Sequence, residues 1–493
     1  MNLSGLAKQS SIYLIGDLVR RGLGFLLIPF YTRYLSPADY GTIELIDLFV
    51  MISTICIGLG ALGDGMVRIA HEEKDARRKA RVIATAFAAA LALGILGMVL
   101  GGSLAGVLSV AVFGSSQYAG LIRAAFIAMA FGNLNELGLV YLRLQQRPIF
   151  VVVFSLFQLV ATVAFNVYFI AWAKMGVWGF VSAKLVCTGV GAAVLLFVVA
   201  REVGWRPRWE FVPRISGFSG PLMVSSGSFF VMHFADRFFL NHFTNLSTVG
   251  VYALAYKFGF LVTYLVGQPF GSVWNVSVYG FVGKQEWREQ FARVASYLFF
   301  LLTLAGVLLS VFCDRAIAFL ASPAFAPAAT LIPVVVIGYV FREIGDFFRS
   351  MLFINKKVMM FGRITVGCAL LNLALDWVLI PRYQAAGAAW ATALTWAVYM
   401  VACWLPAQRE HQLPFSLGSF ARMGALSLSV VASAPLLHRL PAMWQWGGGS
   451  AVIAAYLTSI WLIGYFNTAE RTQIIRHLTV GRSFLLAAAG RSR

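Results

Sequence analysis

Asp17, Arg20 and Arg21 fall inside a stretch from Ser10 to Tyr34 that is otherwise apolar enough to cross a membrane. A charge at that depth costs about 2.5–3.5 kcal/mol on insertion scales, so such residues face a polar interior and mark a path for an ion or a substrate. Arg20 shares a helix face with Gly16 and Gly24, which lets backbone approach closely beside the guanidinium. Asp17 and Arg21, four apart, are placed to pair with each other. The other embedded charges are the cations Arg123, Lys184, Arg237 and Lys257 and the acids Glu44, Asp47, Glu136, Asp236, Glu343, Asp346 and Asp376. Cations in a wet cavity suit an anionic cargo such as a diphosphate. The acids suit pairing, gating, or uptake of a proton or other coupling ion by a buried carboxyl.

The elements that carry these charges are membrane spans. Of 493 residues, 60% are hydrophobic and 12% charged, well outside the soluble globular range of roughly 45–50% apolar and 25% charged. At roughly 20 apolar residues per span, the chain divides into about 14 segments joined by short polar connections. The longest connections, 64–81 and 201–214, are too short to hold a folded domain. The first apolar stretch is longer than a signal core and a second span follows at once, so no cleaved leader is expected.

The net charge of +19 is a matter of topology rather than nucleic-acid binding. With alternating spans, the Lys and Arg residues concentrate on one side, in 74–81, 201–214, 284–288, 356–357 and 471–493. That side is cytoplasmic and attracts anionic lipid, and both termini lie on it. The cysteines Cys56, Cys187, Cys313, Cys368 and Cys403 form no CxxC pair and read as small apolar filler. His71-Glu72-Glu73-Lys74-Asp75 lacks the second His of a zinc-protease motif, and Gly280-Phe281-Val282-Gly283-Lys284 lacks the spacing of a phosphate loop. No metal, cofactor, ATP site or catalytic residue is expected, and the chain does not read as an enzyme.

An internal repeat of about 210 residues organises the spans. Leu35-Ser36-Pro37-Ala38-Asp39-Tyr40-Gly41 recurs as Leu246-Ser247-Thr248-Val249-Gly250, aligning Gly41 with Gly250. Arg143-Leu144-Gln145-Gln146-Arg147 recurs as Phe353-Ile354-Asn355-Lys356-Lys357, and Gly176-Val177-Trp178-Gly179 as Gln384-Ala385-Ala386-Gly387. Six spans separate partners, an even number, so the two copies share one orientation. The expected fold is all-α and polytopic. It has a six-helix lobe over 1–200, a linker over 201–214 and a second six-helix lobe over 215–408. Two further spans over 409–470 and a basic tail over 471–493 complete it.

Tyr34-Leu35-Ser36-Pro37-Ala38-Asp39-Tyr40-Gly41, following a span that ends Pro29-Phe30-Tyr31, resembles the opening of bacterial polysaccharide flippases. These form the polysaccharide transport branch of the multidrug/oligosaccharidyl-lipid/polysaccharide exporter superfamily. The resemblance extends over the span count, the repeat and the Gly-Val-x-Gly turn. It implies a translocase in the bacterial inner membrane that moves undecaprenyl-diphosphate-linked oligosaccharide from the cytoplasmic to the periplasmic leaflet. It further implies two lobes rocking about a cationic cavity, coupling to an ion gradient, and service to O-antigen, capsule or exopolysaccharide synthesis beside a polymerase and chain-length machinery. Gly63-Asp64-Gly65-Met66-Val67-Arg68 departs from the peptidoglycan-precursor branch. A drug or metabolite exporter of the same superfamily is the alternative, followed by a membrane glycosyltransferase, a polymerase or a scaffold.

In that setting Arg20, Arg21, Arg123, Lys184, Arg237 and Lys257 are the expected substrate contacts. Asp17, Glu44, Asp47, Glu136, Asp236, Glu343, Asp346 and Asp376 are the expected coupling or gating acids. By their shared depth in the outer third of the spans, Arg123, Lys184, Arg237, Lys257, Glu44 and Asp47 are expected to line the periplasmic half of a cavity or to close a gate through pairs such as Glu44 or Asp47 with Lys257. Adjacent Asp236 and Arg237, about 100° apart on a helix, are not expected to pair. On the span around residue 340, Arg342, Asp346 and Arg349 either form a self-satisfied ladder or leave Glu343 or Asp346 free to take up a proton.

Overall fold

The computed structural model describes residues 25, 27–283, 285–437 and 442–465. Asp17, Arg20, Arg21 and Lys284 lie outside them. Sixteen α-helices run along the described chain: α1 Ile28–Tyr34, α2 Pro37–Ile57, α3 Leu62–Glu72, α4 Ala76–Phe113, α5 Ala119–Leu144, α6 Pro148–Asn166, α7 Val177–Val203 and α8 Val212–Phe234. They continue as α9 Asp236–Phe243, α10 Leu246–Val262, α11 Gln268–Phe281, α12 Trp287–Leu320, α13 Ala328–Ile354, α14 Val358–His411, α15 Leu417–Leu437 and α16 Ala442–Leu462. Ten stretches of the described chain are long and apolar enough to cross a membrane, and one of them, α14, runs for 54 residues. It is two limbs joined at Gln384, whose φ of 50° and ψ of −128° break the helix.

The starts and turns of these helices are written in short polar motifs. Ser36 caps α2, accepting from Asp39 N at 3.1 Å while the Asp39 carboxylate accepts from Ser36 N at 3.1 Å. Pro37 then occupies the first turn, where its missing N–H costs nothing. Asn245 does the same work ahead of α10, accepting from Thr248 N at 2.9 Å.

The repeat is visible in the backbone itself. Gln146 and Lys356 both adopt positive φ, 54° and 56°. Matching bonds close the two turns, Arg147 N to Leu142 O at 3.1 Å and Lys357 N to Leu352 O at 2.7 Å. Gly176, with φ 54° and ψ −128°, repeats the conformation of Gln384. Gly179 and Gly387 each lie against the backbone that precedes them, at Phe169 and Leu379.

Contacts divide the described chain into two compact units. The larger draws on the ranges 1–260 and 315–405. Its core includes Met66, Phe87, Phe126, Met129, Tyr141 and Leu195, from α3, α4, α5 and α7. On α4, Gly97 and Gly101 let α5 approach: a Cβ at Gly97 would lie 2.8 Å from Met129 Cε, and one at Gly101 would overlap the Phe126 ring. Gly102 and Gly106, of the same spacing, face open space. The smaller unit draws on 261–314 and 406–493. There Val307 and Val311 of α12 pack with Met423 of α15 and Tyr456 and Ile460 of α16. Ser427 meets the Tyr456 hydroxyl at 2.9 Å within that cluster. All five cysteines are free, and Cys187, Cys313, Cys368 and Cys403 are buried.

Candidate functional site

The larger unit holds a charged cluster where α2 and α10, the repeat-related helices, cross. The crossing is backbone on backbone. A Cβ at Gly41 would overlap the Leu246 carbonyl oxygen, one at Gly250 would overlap the Pro37 carbonyl oxygen, and each would lie 3.0 Å from the other glycine's nitrogen. Only glycine permits that approach.

One turn beyond the crossing, Glu44 of α2 receives Arg237 Nε at 3.2 Å. Arg237 is 1% exposed, and its Nη1 also donates to Asp236 Oδ1 at 2.7 Å and to the His233 carbonyl at 2.7 Å. Tyr256 of α10 lies 4.2 Å from the guanidinium carbon and Phe234 5.1 Å, so the charge is walled by aromatic faces. The Tyr252 hydroxyl donates to Asp236 Oδ2. The expectation that Asp236 and Arg237 do not pair fails although both belong to α9: the long Arg237 stem runs back over the start of that helix, where its Nη1 meets the His233 carbonyl and Asp236 Oδ1 together.

Asp47, a turn further along α2, receives Lys184 Nζ of α7 at 2.7 Å, with 38% and 37% of the two side chains exposed. Lys257 of α10 donates to the Tyr40 hydroxyl at 2.5 Å and lies 4.6 Å from its ring centre. Neither Glu44 nor Asp47 pairs with Lys257, because each is already taken by a different cation. Lys257 is exposed and has no carboxylate partner among the described residues. Its ammonium rests on Tyr40, so the exposed part of the residue ends in a tip held by protein.

Behind Asp236 lies a cluster of buried polar side chains. Asp376, on the first limb of α14, is 0% exposed, and neither of its carboxylate oxygens has a hydrogen-bond partner among the described residues. Asp236 and Arg237 are the charged groups acting on it. Asn372, one turn away on the same face, donates to Thr395 Oγ1 at 3.3 Å and leaves its carbonyl oxygen unsatisfied. Thr392 approaches Asp236 Oδ2 at 3.4 Å. Three carboxylates, Glu44, Asp236 and Asp376, share one guanidinium here. Buried oxygen donors with that excess of negative charge suit a proton or a small monovalent cation. Tyr252, Tyr256, Thr392 and Thr395 were not singled out by sequence. Their signal is faint, a pair of tyrosines four apart on α10 and hydroxyls on one face of the second limb of α14.

The remaining acids and cations lie elsewhere in the unit. On α13, Arg342 meets Glu343 at 2.8 Å and Asp346 at 3.6 Å, Arg349 meets Asp346 at 3.3 Å, and the Tyr399 hydroxyl donates to Asp346 at 2.8 Å. The ladder read from spacing forms, with Tyr399 added. Arg123 of α5 is exposed and donates to the Gly102 carbonyl at 3.3 Å, apart from the crossing. Glu136, also on α5, is exposed.

Known proteins bear on this arrangement. The family described as "Polysaccharide biosynthesis protein" matches residues 30–330. An uncharacterized membrane protein of Haemophilus influenzae is 24% identical over 267 residues, which span 53% of this chain and 62% of that protein's length. Among solved structures, the fold is similar to that of the lipid II flippase MurJ in an inward closed conformation, with a TM-score of 0.71 at 13% identity, covering 92% of this chain and 98% of the other. It is also similar to an inward-facing multidrug resistance MATE family transporter of the MOP superfamily, with a TM-score of 0.65 at 15% identity, over 79% and 94% of the two chains. The match over more than half of the chain, a range that includes both helices of the crossing, makes this polytopic membrane protein a member of the polysaccharide biosynthesis protein family.

Proposed function

We propose that the protein is a flippase that carries an oligosaccharide linked to undecaprenyl diphosphate from the cytoplasmic to the periplasmic leaflet of the bacterial inner membrane, with both termini cytoplasmic. The observation that carries this reading is Lys257: a cation at the crossing of the two copies, on an exposed residue, held by the Tyr40 hydroxyl and free of any described carboxylate, with the half-exposed Lys184–Asp47 pair on the same helix α2. A diphosphate needs such a cation within a water-accessible path. The lipid flippase fold of MurJ supports the same direction, and Arg20 and Arg21 of the preceding span are further contacts of the same chemistry. Arg237, buried against Glu44 and Asp236, acts as the clasp between copies and reaches cargo only when the crossing opens.

The cluster of Asp236, Asn372, Asp376 and Thr392 takes up the coupling ion. A proton or cation there cancels the negative excess around Arg237 and so biases the clasp toward one state. A polysaccharide polymerase and chain-length machinery receive the exported units. The protein in vesicles, supplied with a lipid-diphosphate oligosaccharide, moves it across the bilayer. Lys257→Met slows that movement about tenfold or more, given the strength of charge-assisted hydrogen bonds to phosphate, and Lys257→Arg retains most of it. Wild-type protein that leaves the lipid where it was added refutes the proposal, and movement of cationic drugs instead favours the exporter alternative.

A further inference from the structure

Matching turns in the two copies let each helix position be compared with its mate. Counted from Gln146 and Lys356, Glu136 on α5 stands where Asp346 stands on α13. Asp346 is satisfied three times, by Arg342, Arg349 and Tyr399. The mates of those three partners are Gly132, Leu139 and Gly191, none of which can donate from a side chain. A size exchange explains the missing tyrosine. In the second copy Gly345 makes room for the Tyr399 ring, 2.6 Å from where its Cβ would be. In the first copy Asn135 replaces that glycine, and its Oδ1 would lie 2.7 Å from a Cβ on Gly191. No aromatic ring fits there, and Glu136 is left exposed with no partner among the described residues.

The face that carries Glu136 looks inward. Asn133, three residues before it, donates to Thr54 Oγ1 of α2 at 3.3 Å. Gly132, four before it, lies against the Thr188 methyl of α7, and Val140, four after, lies against Gly63. From the Lys184–Asp47 pair a polar track therefore descends past Thr188, Thr54 and Asn133 to Glu136. Between Asp47 and Thr54 the rise along α2 is about 10 Å at 1.5 Å per residue.

We infer that this track is a glycan subsite, in which the Glu136 carboxylate accepts hydrogen bonds from sugar hydroxyls while the diphosphate is held at Lys257 and Lys184. The inference rests on the flippase reading above. An anionic carboxylate repels phosphate, and a single exposed carboxylate offers no cage for a metal ion. Its two oxygens, flanked by a carboxamide and two hydroxyls, match the neighbouring hydroxyls of a sugar ring. The separation from the cations leaves the sugar next to the phosphate in free space and brings Glu136 to those beyond it.

The test compares two substrates in vesicles, a lipid diphosphate bearing one sugar and the same lipid bearing a complete oligosaccharide. Glu136→Ala is expected to slow the oligosaccharide about tenfold, the loss of one charge-assisted hydrogen bond pair, and to change the one-sugar lipid less than about twofold. Glu136→Gln, which keeps one acceptor, is expected to fall between. An equal fall for both substrates assigns Glu136 to coupling or to folding and overturns the inference, as does no fall for either. Wild-type protein that moves neither lipid overturns the flippase reading itself.

Discussion

Arg237 concentrates the physics of the site. A guanidinium 1% exposed, with two carboxylates, a carbonyl and aromatic faces around it, is stable only as a complete set, because removing one partner strands the others in low dielectric. Arg237→Ala leaves Asp236 and Glu44 without their cation and is expected to cost about 3–5 kcal/mol, read as a fall in melting temperature in detergent. Adding Glu44→Gln to that variant recovers part of the loss, and equal melting temperatures for the two variants would show that Glu44 is not held by Arg237. Sequence brought the three charged members, Glu44, Asp236 and Arg237, forward, since charge in an apolar run is visible without a structure. It pointed to the wrong pairs, Glu44 or Asp47 with Lys257 and Asp236 apart from Arg237. Glu44 with Arg237 and Asp47 with Lys184 depend on which face of α2 meets which neighbour, and Arg237 with Asp236 on a side chain long enough to run back to the His233 carbonyl.

Among the helices, the crossing of α2 and α10 sets the distance at which the two copies meet. Gly41→Ala forces the backbones apart, since its new methyl overlaps the Leu246 carbonyl oxygen, an overpacking worth about 1–3 kcal/mol. Transport is expected to fall about tenfold, in keeping with that energy. Gly102→Ala, in open space on α4, serves as the control and leaves transport unchanged. Unaltered transport in Gly41→Ala would mean that the closed crossing is not part of the cycle. These elements were legible because helix starts and turns rely on a few residue types: Ser36 and Pro37 at a cap, Gly41 and Gly250 at a contact. The polar lining was less legible. Thr392, Thr395 and Tyr256 look like ordinary span residues until α14 folds at Gln384 and sets its two limbs side by side.

For the molecule as a whole, the buried acids and the cations have separable tasks. Among the described residues the charged groups acting on Asp376 are Asp236 and Arg237, and Lys257 rests on Tyr40, so the ion is expected to act on cargo only through the clasp. Asp376→Asn keeps the shape and removes the ionisable carboxyl. Transport down a substrate gradient is expected to persist in that variant, while the response to an imposed proton or sodium gradient disappears. A variant still accelerated by the gradient would place the coupling ion elsewhere.

The contact at Gly41 and Gly250 carries a last consequence. Each glycine meets the carbonyl that begins the other's helix, Pro37 O on one side and Leu246 O on the other, so the contact is its own mirror under exchange of the copies. Self-complementary contacts of this kind are what identical subunits make about a two-fold axis. The halves of this chain therefore touch as the protomers of a homodimer touch, as expected if one shorter ancestor paired with itself at this glycine before its gene doubled.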